Sequence, residues 1–354
     1  MNAPARSPLR AGIIGCGAIA YEHLPFVATS PLAELVGVCD RSPALAETAR
    51  ERFNAAAAYT DVGALLAECK PDIVHVLTPP QTHDAIVRQA LAAGVHVICE
   101  KPMTGDADRT AALLAEAKKA GLVLVESRNL LFNDAVLELM RMSADGKLGD
   151  VIECDILLSL DFLAGPFGDR NLSGPGVDLP GGAVHDFLPH LVYLFLALTG
   201  AEGKCAVYGS LFNRSANPRV GFDFLDALVD FGPVRGRLRI ATDVYPEAFR
   251  VILRGSKGTV ETDLYNPYMR YDAAPNVGKR APLGQIANGR TLIGTGLANF
   301  RNKVMQHGTM HGLPRMLTAV YEAIGSGSPQ PFSAAEMIAT ARLTDRLIAL
   351  GLKR

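Results

Sequence analysis

The sequence predicts two domains, an α/β domain with a parallel sheet followed by an α+β domain with a large, mostly antiparallel sheet. Three observations carry this. Over the first 125 residues, short apolar runs alternate with helix-like stretches, the order that a parallel sheet covered by helices requires. After Val125 the helices thin out and longer alternating runs follow one another, as in antiparallel sheets. The chain of 354 residues is too long for one hydrophobic core and suits two. The expected division is 1–127 and 128–354.

Residues 9–14 form an apolar run broken only by Arg10 and lead into Gly15-Cys16-Gly17-Ala18-Ile19-Ala20. This reads as strand, tight turn and helix. Gly15 lets the chain turn sharply, Gly17 lets the backbone approach a pyrophosphate, and the small Ala20 lets the helix pack close to the sheet. Phosphates would then lie at the positive end of that helix, over Ala18 and Ile19. Residues 33–39 form a second apolar run ending in Asp40, the spacing at which a carboxylate accepts hydrogen bonds from adenosine ribose hydroxyls in a Rossmann dinucleotide-binding fold. That favours NAD over NADP. Arg41 and Ser42 follow and could engage a 2′-phosphate, so NADP stays open. Asp40 also suits a turn or helix N-cap before Ser42-Pro43, and the two roles are compatible.

Residues 72–77 read as a buried strand ending in Thr78-Pro79-Pro80-Gln81-Thr82-His83, followed by a helix over about 84–93, Gly94, and a fifth strand over 95–99. In such sheets ligands bind beyond the carboxyl ends of strands, so the Thr78-Pro79-Pro80 turn and Glu100-Lys101-Pro102 point at one crevice. Taken alone, Lys101 reads as a solvated lysine at a strand end. Beside a cofactor, its ammonium would stabilise alkoxide character and lower an alcohol's pKa. Glu100 would pair with it or touch the nicotinamide ribose.

The second domain opens with a helix over 133–142, closed by Gly146-Lys147-Leu148-Gly149. Strand-like runs then cover 151–160, 206–212, 227–231, 234–241 and 249–253, and Gly255-Ser256-Lys257-Gly258 joins the last to 259–262 as a hairpin. Between the first two runs, Gly181-Gly182 leads to His185-Asp186 and an apolar helix containing His190. Asp186 and His190 stand at i and i+4, on one helix face, and can meet one ligand together. As a simple intrahelical pair they would contribute only ~0.5 kcal/mol. His190, among Leu188, Pro189, Leu191, Val192 and Tyr193, needs a polar reason to be there, which a cofactor-facing cleft supplies.

Composition narrows the function classes. The formal charge of −1 gives no basic excess for nucleic acid, and there is no acidic tail. The apolar stretch 188–198 is too short to span a bilayer and the N-terminus lacks a signal-peptide core, so no membrane partner and a cytoplasmic location are expected. Six cysteines at 16, 39, 69, 99, 154 and 205 show no CxxC spacing and read as small buried hydrophobes. His307 and His311 share an i,i+4 spacing without a carboxylate or thiol nearby, so no metal is expected. Residues 264–303 carry Arg270, Lys279, Arg280, Arg290, Arg301 and Lys303 against Asp272 alone, and read as a glycine-rich flexible excursion. It would clamp a nucleotide-sugar diphosphate, or serve as a solvated loop or an oligomer arm.

Together, Gly15-x-Gly17-x-x-Ala20, Thr78-Pro79-Pro80 with His83, Glu100-Lys101-Pro102, Gly146-x-x-Gly149, and Gly181-Gly182 leading to Asp186-x-x-x-His190 resemble the Gfo/Idh/MocA family of oxidoreductases, which includes glucose-fructose oxidoreductase and inositol dehydrogenase. The resemblance covers nearly the whole chain except about 264–300. It implies a Rossmann domain plus an open-faced sheet domain, NAD or NADP, a sugar, polyol or related substrate, and a homodimer or homotetramer formed through the open sheet. By the same resemblance, Lys101 would polarise the substrate oxygen, Asp186 would bind and orient substrate, and His190 would be the general base in oxidation. His185 is an extra ionisable group beside Asp186, touching substrate or capping the helix. Two other classes stay open: a closed-cycle or nucleotide-sugar oxidoreductase, and a dinucleotide-sensing regulator, against which Lys101, Asp186 and His190 argue.

Overall fold

The computed structural model of the chain describes residues 7–161, 174–275, 277–278, 281–305 and 312–352. It falls into two compact units, the described residues of Met1–Asn129 with Gly312–Ala341, and those of Leu130–His311 with Arg342–Arg354.

The first unit is built on strands β1 (Leu9–Ile14), β2 (Ala33–Cys39), β3 (Ala58–Tyr59), β4 (Ile73–Val76), β5 (His96–Cys99) and β6 (Leu124–Glu126). All pair in parallel, in the order β3-β2-β1-β4-β5-β6. The strands are near-continuous apolar runs because helices cover both faces, and all four residues of β4 are buried. Those helices are α1 (Ala20–Thr29), α2 (Pro43–Phe53), α3 (Val62–Cys69), α4 (Pro80–Ala92) and α5 (Ala107–Ala120). Ser42, Asp61 and Asp106 cap α2, α3 and α5 by accepting a first-turn N–H, each worth ~1 kcal/mol. The strand order reverses between β1 and β4, which opens a crevice at their carboxyl ends.

The second unit starts with α6 (Asp134–Ala144) and carries strands β7 (Val151–Ser159), β8 (Ala206–Phe212), β9 (Phe224–Asp230), β10 (Arg235–Ala241), β11 (Ala248–Gly255), β12 (Gly258–Asp263) and β13 (Arg270–Ala273). They form one sheet in the order β13-β12-β11-β7-β10-β9-β8, antiparallel throughout except for the β7–β10 pair. Alternation sorts the side chains. Cys154, Ile156, Leu158, Leu238, Ile240, Val251 and Leu253 are buried, whereas Glu153, Asp155, Asp226, Arg235, Arg237 and Arg254 pair with one another on the other face. The long apolar helix α7 (Gly182–Thr199) packs on β7 and β10, which covers most of its length. Among the described residues it is the one helix long and apolar enough to cross a membrane, and its burial is that of a core helix.

Two expectations need correction. Residues 264–303 are not a flexible excursion: they contain β13 and a 24-residue helix, α8 (Ala281–Val304). Asn288 holds this helix to the sheet edge, accepting a hydrogen bond from the Tyr271 N–H (3.1 Å) and donating to the Tyr271 carbonyl (3.0 Å). The helix escaped the sequence reading because it holds Gly284, Gly289, Gly294 and Gly296 and leaves Leu283, Ile293, Leu297 and Phe300 exposed, so no buried periodicity marks it. Lys279 and Arg280, and the side chain of Lys303, lie outside the described residues, as do His307 and His311.

The second correction concerns the chain's end. A division at 127/128 assigned everything beyond it to the second domain, but residues 312–341 pack with the first unit. Helix α9 (Leu313–Ser326) buries Leu313, Met316, Leu317, Val320 and Tyr321, and its Tyr321 ring meets Phe26 of α1 edge-on at 5.4 Å. The final helix, α10 (Ala334–Leu352), begins in the first unit and ends in the second.

Candidate active site

The turn after β1 is shaped by glycine geometry. Gly15 has φ of +97°, and a Cβ there would lie 2.7 Å from the Leu77 carbonyl carbon, so no other residue fits between β1 and β4. A Cβ on Gly17 would meet nothing within 4 Å. Gly17 is therefore not required by protein packing, and its bare backbone faces open space where a pyrophosphate can approach. Ala18 and Ile19 complete the turn into α1, whose first residue, Ala20, is fully buried.

Asp40 ties this turn to the end of β2. One carboxylate oxygen accepts the Cys16 N–H at 2.8 Å and the other accepts the Ser42 N–H at 2.8 Å. Ser42, not Asp40, is the N-cap of α2. Each Asp40 oxygen keeps a second lone pair for a ribose hydroxyl, so the turn role and the cofactor role coexist. Arg41 is exposed beside it. Cys16 is buried against the Cys39 carbonyl, and burial together with the Asp40 charge pushes its thiol up to about 12, which makes it inert.

Thr78-Pro79-Pro80 follows β4 and Glu100-Lys101-Pro102 follows β5, so both end at the carboxyl edge of the parallel sheet. His83, in the first turn of α4, joins them. Its Nε2 lies 2.8 Å from the Thr78 carbonyl and its Nδ1 lies 2.9 Å from the Pro102 carbonyl. The ring is fully buried, and burial holds its pKa below the ordinary value although both carbonyls favour the cation. His83 therefore acts by fixing the spacing of the two loops. Glu126, buried on β6, steadies the second loop by accepting the Met103 N–H at 2.9 Å and an Arg128 N–H at 3.3 Å.

Glu100, just after β5, lies in a buried polar nest that sequence reasoning missed. His23 Nε2 is 3.2 Å from Glu100 Oε1, His23 Nδ1 is 2.9 Å from His75 Nδ1, and His75 Nε2 is 2.9 Å from the Tyr321 hydroxyl. Glu100 Oε2 accepts the Lys101 N–H at 3.3 Å. Burial alone would raise the Glu100 pKa, but the His23 hydrogen bond and charge, the Lys101 charge and a Ser127 hydrogen bond outweigh it and hold the carboxyl at about 2. His75 in the middle of an apolar strand was the available signal, because a buried imidazole must find partners. Lys101 itself is half-buried.

In the second unit, Asp186 and His190 sit one turn apart on α7. Among residues 182–192 of that helix, only Asp186, Phe187 and His190 reach the surface. The Tyr193 hydroxyl lies 2.7 Å from His190 Nδ1, and Tyr193 is itself buried, so the imidazole is held in place with Nε2 turned away from that contact. Asp186 packs beside Gly176, where a Cβ would come within 3.2 Å of the Asp186 Cβ. His185 is buried at 1% exposure, and its Nδ1 receives the Gly181 N–H at 3.4 Å. Its place is under the first turn of α7 and not on the face of Asp186 and His190. Among the described residues no group of three or more potential metal ligands occurs.

Comparison with known proteins matches residues 9–127 to an oxidoreductase family with an NAD-binding Rossmann fold. The chain is 34% identical over 151 residues to a D-glucoside 3-dehydrogenase of Escherichia coli (strain K12), 42% of this chain and 43% of the relative. It is 35% identical over 195 residues to a dTDP-3,4-didehydro-2,6-dideoxy-α-D-glucose 3-reductase of Streptomyces violaceoruber, 55% of each. The matches thus span about half the length of these relatives. The WlbA dehydrogenase from Bordetella pertussis, solved with NADH and UDP-GlcNAcA, shares the fold with a TM-score of 0.76 at 18% identity, covering 98% of this chain and 97% of that one.

Proposed function

We propose that the chain, whose residues 9–127 match the family model of the Gfo/Idh/MocA oxidoreductases, is a member of that family and an NAD-dependent oxidoreductase acting on a secondary alcohol or ketone of a sugar, polyol or sugar derivative. The observation that carries this reading is the Asp186–His190 face of α7, a polar pair left at the surface of a helix otherwise buried around it. Two ionisable groups one turn apart on the same helix face suit a substrate hydroxyl.

When bound, the nicotinamide supplies the acceptor or donor of hydride. His190 takes the hydroxyl proton during oxidation and returns it during reduction, through Nε2, while Tyr193 keeps the ring oriented through Nδ1. Asp186 binds and orients the substrate. Lys101 polarises the substrate oxygen and stabilises its alkoxide character. Gly15, Gly17, Ala18, Ile19 and Ala20 cradle the pyrophosphate, Asp40 takes the adenosine ribose, and Thr78, Pro79, Pro80 and Glu100 border the nicotinamide end. Because the Asp40 carboxylate would repel a 2′-phosphate, NAD is preferred over NADP.

A nucleotide sugar is the substrate class next in line. The reductase from Streptomyces violaceoruber carries a dTDP-sugar in its name, and Arg290 and Arg301 on α8 offer cations for a diphosphate. The charged outer face of the seven-stranded sheet is the surface for a homodimer or homotetramer.

The test is nicotinamide absorbance with NAD⁺ and NADP⁺ separately, against inositols, aldoses, sugar acids and nucleotide sugars. Reduction of NAD⁺ by one class is expected. Silence across the panel by a protein that still binds NADH would sink the enzyme reading in favour of a sensor or a closed-cycle enzyme.

A further inference from the structure

We propose that His23, His75 and Tyr321 are positioning residues, a buried hydrogen-bond chain that ends on Glu100 and fixes that carboxylate against the backbone N–H of Lys101. The inference rests on the reading of Lys101 as the group that polarises substrate. None of the three residues belongs to the family motifs of the chain, and they come from three separate elements, α1, β4 and α9.

The direction of the chain follows from what each atom can do. Glu100 is ionised and so accepts only, which makes His23 Nε2 a donor across the 3.2 Å contact. With His23 neutral, its Nδ1 is then an acceptor, and the 2.9 Å contact between the two Nδ1 atoms requires His75 to donate. His75 is fully buried, and burial keeps it in the neutral form. Its Nε2 is therefore an acceptor, and across 2.9 Å the Tyr321 hydroxyl donates to it. Burial likewise keeps Tyr321 protonated. The order is Tyr321 to His75 to His23 to Glu100, each proton pointing at the carboxylate. A proton added to His23 would reverse the two bonds beyond it, with His75 donating to Tyr321, but His23 Nε2 would still donate to Glu100. The end of the chain at the carboxylate is the same in both cases.

This arrangement does something a single hydrogen bond would not. Glu100 has one oxygen on His23 and the other on the Lys101 N–H, so its plane, and with it the backbone that carries Lys101, is set from the interior. Neither imidazole has a rotational alternative, since turning either ring would break a bond at each nitrogen. His23 and His75 also meet edge-to-face, at 5.2 Å and 83°.

Three variants of the full chain test the proposal, each first checked for cooperative melting. His23→Leu removes the donor to Glu100 and should lower kcat about 10-fold with substrate KM nearly unchanged. His23→Gln returns an N–H at the place of Nε2 and should restore kcat to within about 3-fold of wild type. Tyr321→Phe, at the far end, should cost less than His23→Leu. A merely structural role would lower the melting temperature of His23→Leu without this split between kcat and KM, and Gln would not rescue it. Folded His23→Leu with wild-type kcat, or His23→Gln no better than His23→Leu, overturns the proposal.

A readout independent of turnover is ¹⁵N NMR of the histidine rings. It should show His23 protonated at Nε2 and His75 neutral. A deprotonated His23 Nε2 overturns the chain whether or not the protein turns over substrate. Failure of the wild-type protein to reduce NAD⁺ with any substrate, alongside the expected ring protonation, would instead overturn the reading of Lys101 on which the role rests and leave the chain itself intact.

Discussion

In the first unit, the polar atoms of Glu100, His23, His75 and Tyr321 are buried, and each faces another within 3.2 Å. On α7, Asp186 and His190 reach the surface, and His190 meets the buried Tyr193 hydroxyl through Nδ1. The two regions hold the same residue types and use them differently. A histidine with both nitrogens committed inside a protein is a spacer, since exchanging its proton would break two bonds at once. A histidine steadied on one side and presented on the other is placed to pass a proton on.

The largest effect that separates the two regions is kinetic. His190→Ala should lower kcat/KM by roughly 10² to 10⁴ and cost about 1 kcal/mol of stability, because the ring is half-exposed but its loss takes a hydrogen bond from the buried Tyr193 hydroxyl. Steady-state kinetics against the best substrate and a melting curve measure both. A loss below 10-fold would place the general base elsewhere.

The next effect falls on the buried region and reads as acid sensitivity. Glu100 titrates at about 2 in the fold against an ordinary value of 4.5, so the unfolded chain takes up the proton first. Its contribution, about 3 kcal/mol, is complete above pH ~4.5 and is lost as pH falls toward ~2. His75 acts earlier in the same direction. Burial keeps it neutral well below its ordinary 6.5, so its contribution is complete above that value and declines beneath it. Urea unfolding followed from neutral to acid pH should show stability falling through both windows. Glu100→Gln should flatten the lower one, and an unchanged slope there would show that the carboxyl is not ionised in the fold.

The same contrast explains what the sequence made legible. Backbone-driven features read well: Gly15, Gly17 and Ala20 declare a turn, Asp40 follows at ribose spacing, and the strand expected over 206–212 coincides with β8. Asp186 and His190 were legible because helical spacing puts them on one face whatever lies around the helix. The His23–His75–Glu100–Tyr321 nest was not legible, because Tyr321 lies 246 residues from His75 and only the return of α9 to the first unit joins them. Helix α8 was missed for the opposite reason, its length lying exposed and rich in glycine.

A smaller effect probes the cofactor end. Asp40 does two things at once, holding Cys16 N–H and Ser42 N–H and presenting lone pairs outward. Asp40→Asn keeps the shape of the side chain but removes its charge and replaces the acceptor for the Cys16 or Ser42 N–H by a donor, so stability should drop and the ratio of kcat/KM for NAD⁺ over NADP⁺ should fall about 10-fold. If the ratio holds while stability drops, Asp40 serves only the turn.

The smallest expected effect concerns the sheet's charged face. Arg254 bridges Glu153 and Asp155 at 2.6 and 2.7 Å, part-exposed, so Arg254→Met in an isolated protomer should change stability by no more than ~1 kcal/mol. The proposed assembly through this face alters that arithmetic. Covered by a second copy, the same guanidinium would lose its water, and removing it would take the shared cation from Glu153 and Asp155, leaving Glu153 with Arg235 and Asp155 with the Arg237 N–H. Sedimentation of Arg254→Met should then show dissociation at concentrations where the wild type stays assembled, despite an almost unchanged protomer. If both sediment alike, the contact between copies lies on another surface, and the ion pairs of this face do no more than keep an open sheet soluble and unpaired with its neighbours.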